Sequence, residues 1–168
     1  ERGILVHAVL ERFWEMGSSD EVLKLTPEQL EIRVASAAEQ ALHAFNQERD
    51  ENLSVTFIGL EQARLTKLVL GWLNEVEMQR PSGFVVAARE KEENIQIEGI
   101  SIRLVIDRID ALEGGGLLLL DYKTGRNNDY KNWAEARITE PQLPIYAAFV
   151  LGDDENEVAA VCYAQVKT

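Results

Sequence analysis

Asp121 and Lys123 stand one residue apart at the end of four consecutive leucines, Leu117 to Leu120. In an extended strand, residues two apart face the same side, so the carboxylate and the ammonium share a face and Tyr122 points to the other. Four leucines in a row demand burial on both faces, which predicts a central strand over 117–123. A charge at the end of such a strand is costly without a partner, and the preceding run supplies one. In the stretch Arg103-Leu104-Val105-Ile106-Asp107-Arg108-Ile109-Asp110, Asp107 follows alternating apolar residues, and Glu113-Gly114-Gly115-Gly116 reads as a hairpin turn. A hairpin centred on Gly114 sets Asp107 directly opposite Asp121. Like charges in that position are destabilising unless something holds them. A divalent cation is the usual remedy, and two carboxylates, a carbonyl and waters suit Mg²⁺. A shift of one residue would turn Asp107 to the wrong face, so the site hangs on this register.

The elements that must position these groups follow from periodicity and breakers. Residues 3–16 predict a helix with Leu5, Val6, Val9, Leu10, Phe13 and Trp14 on one broad face and His7 at its edge, ended by Gly17-Ser18-Ser19. Thr26-Pro27-Glu28-Gln29 is a helix start with Thr26 as N-cap, Pro27 at the first position and Gln29 closing a capping box. That helix is expected to run to about Asn46, followed by a polar loop over 47–54. A third helix is expected over 57–79, with Leu60, Leu65, Leu68, Val69, Trp72, Leu73 and Val76 as its apolar stripe, broken by Pro81-Ser82-Gly83. Beyond Gly83 the chain becomes rich in β-branched residues, and strands are read at 84–91, 94–98, 100–109 and 117–123. A helix over 131–149 and a last strand over 157–166 complete the order. The fold class is α/β: a mixed sheet with an antiparallel hairpin at its centre, flanked by helices.

Composition narrows the function classes. The 168 residues are enough for one domain with a full core, and 46% hydrophobic with 27% charged residues is an ordinary globular balance. No apolar run approaches the roughly 20 residues needed to span a bilayer, so no membrane association is expected. The single cysteine, Cys162, excludes a disulfide framework and a four-cysteine metal or iron–sulfur site within this chain. A reducing, cytoplasmic compartment fits. The net charge of −12 argues against a broad basic surface that coats nucleic acid. The abrupt start at Glu1 and end at Thr168 lead us to expect a domain excised from a longer protein whose other parts carry such a surface.

His7, Asp107, Asp121-Tyr122-Lys123 and Gln142-Leu143-Pro144-Ile145-Tyr146 together resemble the PD-(D/E)XK nuclease superfamily and, more narrowly, the exonuclease domains of the RecB and AddB type. That group shows, in this order, a first-helix histidine, an aspartate in a G-x-I-D-R-x-D-like strand, a D-Y-K-[ST]-G strand end and a Q-x-x-x-Y helix. Here the second element, Leu104-Val105-Ile106-Asp107, lacks the glycine of that motif, and the acidic position is kept. The resemblance runs from Gly3 to Tyr146. It implies a restriction-endonuclease-like core, residues 1–168 as a single nuclease domain with a helical insertion over 17–80 and a sheet core over 84–168. It also implies Mg²⁺ or Mn²⁺ held by His7, Asp107, Asp121 and the carbonyl of Tyr122. Lys123 would position the attacking water and stabilise charge on the scissile phosphate, with Gln142 and Tyr146 steadying Lys123, the water or a DNA strand. A modest basic stretch offers Arg126 and Lys131 to phosphates, too little for tight binding through salt release alone. A helicase or helicase-like subunit that delivers the strand is therefore the expected partner, and DNA the substrate.

Blander readings accompany each residue. Asp110 caps the turn or pairs with Arg108; His43 is a packing or solvated histidine; Glu90, Glu92 and Glu93 are read as a solvated face, with an approach of Glu90 to the site as the alternative; Cys162 is a buried small hydrophobe. The rival functions are a degenerate nuclease module that only binds DNA ends or a helicase partner, and a different enzyme of the superfamily, such as a sequence-specific endonuclease.

Overall fold

The computed structural model describes residues 2–49, 53–80, 83–125, 141–149 and 157–167. The expected roles of Arg126 and Lys131, and the expected helix over 131–140, lie outside the described residues. The chain divides into two compact units, one of residues 1–81 with 166–168 and one of residues 82–165.

The first unit is helical: α1 (Arg2–Phe13), α2 (Ser19–Leu23), α3 (Pro27–Glu48) and α4 (Val55–Glu75), with α1, α3 and α4 packed on one another. All six apolar residues predicted for α1 are buried. A single 3₁₀ turn (Trp14–Met16) closes that helix, and Gly17 stops it in the left-handed conformation, φ 87°, which glycine adopts without the Cβ penalty. α3 opens with the expected capping box: the Gln29 N–H donates to the Thr26 hydroxyl at 3.3 Å, and the Thr26 N–H donates to the Gln29 side chain at 2.9 Å. The short helix α2, capped by Ser18, stands where only a terminator was expected. The predicted stripe of α4 needs correction at both ends. Leu65, Leu68, Val69, Trp72 and Leu73 are buried, but Leu60 is 69% exposed. Nine residues at about 100° each put Leu60 on the helix side opposite Val69. Val76 lies past the last helical residue and is half exposed. Among the described residues, no helix is long and apolar enough to cross a membrane.

The second unit is a four-stranded sheet in the order β1 (Phe84–Ile97), β2 (Ile100–Leu112), β3 (Leu117–Lys123) and β4 (Val158–Gln165). β1–β2 and β2–β3 are antiparallel and β3–β4 is parallel, so the sheet is mixed and the class is α/β. The two strands read at 84–91 and 94–98 are one continuous strand. Its hairpin to β2 turns at Glu98 and Gly99, both at positive φ (49° and 83°), the geometry of a tight two-residue turn. β3 lies inside the sheet, and Leu119 and Leu120 are buried. The short helix α5 (Gln142–Phe149) packs on β2, β3 and β4. Leu104, Ile106, Ile109 and Leu119 from the sheet and Leu143 and Tyr146 from α5 form one apolar cluster.

The turn between β2 and β3 depends on Gly116. Its φ is 83°, and a Cβ there would lie 2.9 Å from the Cβ of Ala159 and 3.1 Å from the carbonyl oxygen of Glu157. Gly116→Ala therefore adds a left-handed strain of about 1–2 kcal/mol to a contact that backbone cannot relieve. We expect the variant to lose about 2 kcal/mol or more of stability, read from its urea unfolding midpoint.

Candidate active site

The β2–β3 ladder pairs Ala111 with Leu117, Asp110 with Leu118, Ile109 with Leu119 and Arg108 with Leu120. The last of these pairs leaves Asp107 and Asp121 as the next residue on each strand, the positions that a hairpin centred on Gly114 sets against each other. Both carboxylates are buried, at 7% and 4% exposure. The ladder changes character here because the Asp107 side chain enters it: Oδ2 accepts the backbone N–H of Tyr122 at 2.5 Å. That bond ties the acidic position of β2 to the residue between Asp121 and Lys123.

The end of β3 presents different chemistry on its two faces, as alternation demands. On one face, the Lys123 ammonium stands 2.7 Å from Asp121 Oδ2, and the lysine side chain is one-quarter exposed. On the other face, the Tyr122 hydroxyl accepts from the Arg108 guanidinium at 2.9 Å. Arg108 also binds Asp110 Oδ2 at 2.8 Å and lies 5.1 Å from the ring centroid of Phe84. Arg108 and Asp110 are 1% and 0% exposed. Asp110 thus pairs with Arg108, one of the two structural roles read for it. Tyr122 is gripped through its main chain by Asp107 and through its phenol by Arg108, so the strand end has little freedom to move.

Glu90 is the residue that sequence reading undervalued. β1 pairs Arg89 with Arg108 and Lys91 with Ile106, which places Glu90 opposite Asp107. Their carboxylate oxygens lie within 4.8 Å of one another. Glu90 has φ 42°, a left-handed conformation rare for a side-chain-bearing residue in a strand and a common companion of functional sites. The signal was available: a hairpin centred between Glu98 and Gly99 sets residue 90 against residue 107 by the arithmetic already used for Gly114. Glu92 belongs to the surface, paired with Arg103 at 2.6 Å on the exposed ribbon.

α5 places the two residues of its motif over the sheet. The Gln142 side-chain amide donates to the Val105 carbonyl, so it holds the strand two residues before Asp107. Tyr146 is fully buried in the apolar cluster. Burial raises its phenol above the ordinary value; the nearby Lys91 ammonium opposes this and Glu93 adds to it. Burial would in turn pull Lys91 down, but hydrogen bonding and charge from Glu93, together with Tyr146, leave it above its ordinary value. His7 belongs to the helical unit, half-buried on α1.

Asp107, Glu90 and Asp121 offer only hard oxygen donors, two of them within 4.8 Å of each other. Two carboxylates that close, with Asp107 buried and Glu90 half-buried, repel unless a cation or a proton is shared. The donor set fits Mg²⁺ or Mn²⁺ and not a soft metal. Phosphodiester hydrolysis needs what such a site supplies: a cation at the developing oxyanion and an activated water. A family model described as the PD-(D/E)XK nuclease superfamily matches residues 1–168. No match was found among curated proteins.

Proposed function

Because the chain belongs to the PD-(D/E)XK nuclease superfamily, whose members are phosphodiester-cleaving nucleases that use divalent metals, we propose that it is a Mg²⁺- or Mn²⁺-dependent DNA exonuclease of the RecB and AddB type. Its role in this reading is DNA repair or recombination, and a helicase or helicase-like partner delivers its strand. The observation that carries the reading is the strand end itself: the Asp107 carboxylate accepts the Tyr122 N–H, and the Lys123 ammonium lies 2.7 Å from Asp121. The DYKTG run at 121–125 and the Gln142–Tyr146 motif are the sequence features that favour the RecB and AddB type.

The residues divide the work as follows. Asp107 and Asp121 would hold the ion, with His7 and the Tyr122 carbonyl completing the set that the family resemblance implies, and Glu90 adding a third carboxylate beside Asp107. When bound, the ion would lower the pKa of a coordinated water and neutralise charge on the phosphate. Asp107 fixes the Tyr122 main chain through its N–H, which orients the following carbonyl. Lys123 places its ammonium where negative charge grows on the scissile phosphate, and it steers the attacking water. Gln142 acts through β2, by holding Val105. Tyr146 is buried, so its contribution runs through the packing of α5 on the sheet. Arg126 and Lys131 remain the proposed phosphate contacts.

The test compares linear and covalently closed circular DNA, single- and double-stranded, in Mg²⁺, Mn²⁺ or EDTA. The expected result is degradation of linear DNA that stops in EDTA, with circular DNA left intact. Cutting of circles would replace the exonuclease with an endonuclease. Binding to DNA ends without cleavage in either metal would leave the binding-module reading in its place.

A further inference from the structure

Lys123 has a second neighbour, contributed by the last strand. β4 runs parallel to β3, with Asp121 beside Tyr163 and Lys123 beside Gln165. The Lys123 ammonium lies 5.2 Å from the centroid of the Tyr163 ring while it stays 2.7 Å from Asp121 Oδ2. An aromatic face attracts an ammonium within about 6 Å through its quadrupole. The ring is itself fixed, because Tyr163 is half-buried and packed against the cluster that joins the sheet to α5. Lysine is a point charge on a flexible four-carbon stem. Left to solvent, it would sample many rotamers; with a carboxylate on one side and an anchored ring face on another, its ammonium has few places to go.

We propose that Tyr163 is the positioning residue for Lys123: its ring is a platform that confines the ammonium beside Asp121, where the reaction needs it. The inference rests on the reading of Lys123 as the catalytic cation. It also explains how the sheet delivers that cation, since Asp121 and Lys123 come from β3 while the platform comes from β4. The contact is made by the ring face, so phenylalanine serves in place of tyrosine and an aliphatic side chain does not.

Tyr163→Leu and Tyr163→Phe decide the matter, beside the unaltered chain, with linear DNA and Mg²⁺. Tyr163→Leu is expected to lower kcat about tenfold with KM within about twofold, the size of one well-placed ammonium–ring contact. Tyr163→Phe is expected to stay within about twofold in both. A second readout does not depend on cleavage. The ε-methylene protons of Lys123 should be shifted upfield by the ring current in the unaltered chain and in Tyr163→Phe, and should return to ordinary values in Tyr163→Leu. Unchanged kcat in Tyr163→Leu, or no ring-current shift in the unaltered chain, overturns the proposal. If the unaltered chain cleaves nothing yet shows the shift and loses it in Tyr163→Leu, the nuclease reading falls and the platform stands. Should the leucine variant not fold, fluorinated phenylalanines at 163 weaken the ring face without removing it. The upfield-shifted lysine and kcat must then decline with each added fluorine, and an unchanged series overturns the proposal.

Discussion

Lys123→Ala is expected to reduce the rate of DNA hydrolysis about 10³-fold while the protein stays folded and keeps its affinity for Mn²⁺. The magnitude follows from losing one preorganised donor aimed at developing charge, which costs about 10²–10³ in rate, together with a full positive charge beside the phosphate. The fold should tolerate the change because the side chain is one-quarter exposed, and a partly exposed ion pair contributes about 1 kcal/mol or less. Ion affinity should hold because the proposed ligands all belong to other residues. Single-turnover cleavage, circular dichroism melting and calorimetry with Mn²⁺ check the three parts. A variant that cleaves at the original rate would remove Lys123 from the mechanism. Lys123→Arg is no rescue: a planar guanidinium is wider than an ammonium and donates in a fixed fork.

The largest loss of stability is expected on the opposite face of the sheet, on the neighbouring strand β2. Arg108 and Asp110 form an ion pair with 1% and 0% exposure, and Arg108 also serves the Tyr122 hydroxyl. Asp110→Ala removes the carboxylate 2.8 Å from a buried guanidinium, a change that costs about 3–5 kcal/mol, a large part of the stability of most small domains. Urea unfolding followed by circular dichroism should show it. The joint variant Arg108→Met with Asp110→Leu should recover much of the loss, because an apolar pair of similar volume needs no desolvation. It should not recover full cleavage, since Tyr122 loses the bond that fixes its side chain. A joint variant as unstable as Asp110→Ala would mean that packing around the pair, and not its charge, sets the cost.

The parts of the molecule that were legible in the sequence are those set by short-range rules. Thr26, Pro27 and Gln29 announce the start of α3 because a cap needs only three positions. Four leucines announce an inner strand, and a glycine turn centred on Gly114 sets the β2–β3 register by counting alone. The strand positions of Asp107, Asp121 and Lys123, which we propose as site residues, follow from the same count. The rest depended on departures from regularity. For Glu90 a solvated face was preferred over an approach to the site, although the Glu98-Gly99 turn sets it opposite Asp107 and its backbone is left-handed. Leu60 joined an apolar stripe by composition while its helical phase pointed it the other way. The platform for Lys123 was invisible because β3 and β4 pair in parallel across a long connection, and no local pattern specifies which β4 residue lies beside Asp121.

That parallel pairing also fixes the order in which the site can be assembled as the chain folds. The β1–β2 and β2–β3 turns are short and local, so Glu90, Asp107 and Asp121 can meet by zipping one meander. β4 must close residues 124–157 before it can dock, and loop-closure entropy makes that about 2 kcal/mol more expensive than a four-residue turn. Pairings of long sequence separation are the slow ones. On the proposed reading of the site, its acidic half is therefore expected to form early and the Tyr163 ring to arrive late, so that Lys123 is confined only once the sheet is complete.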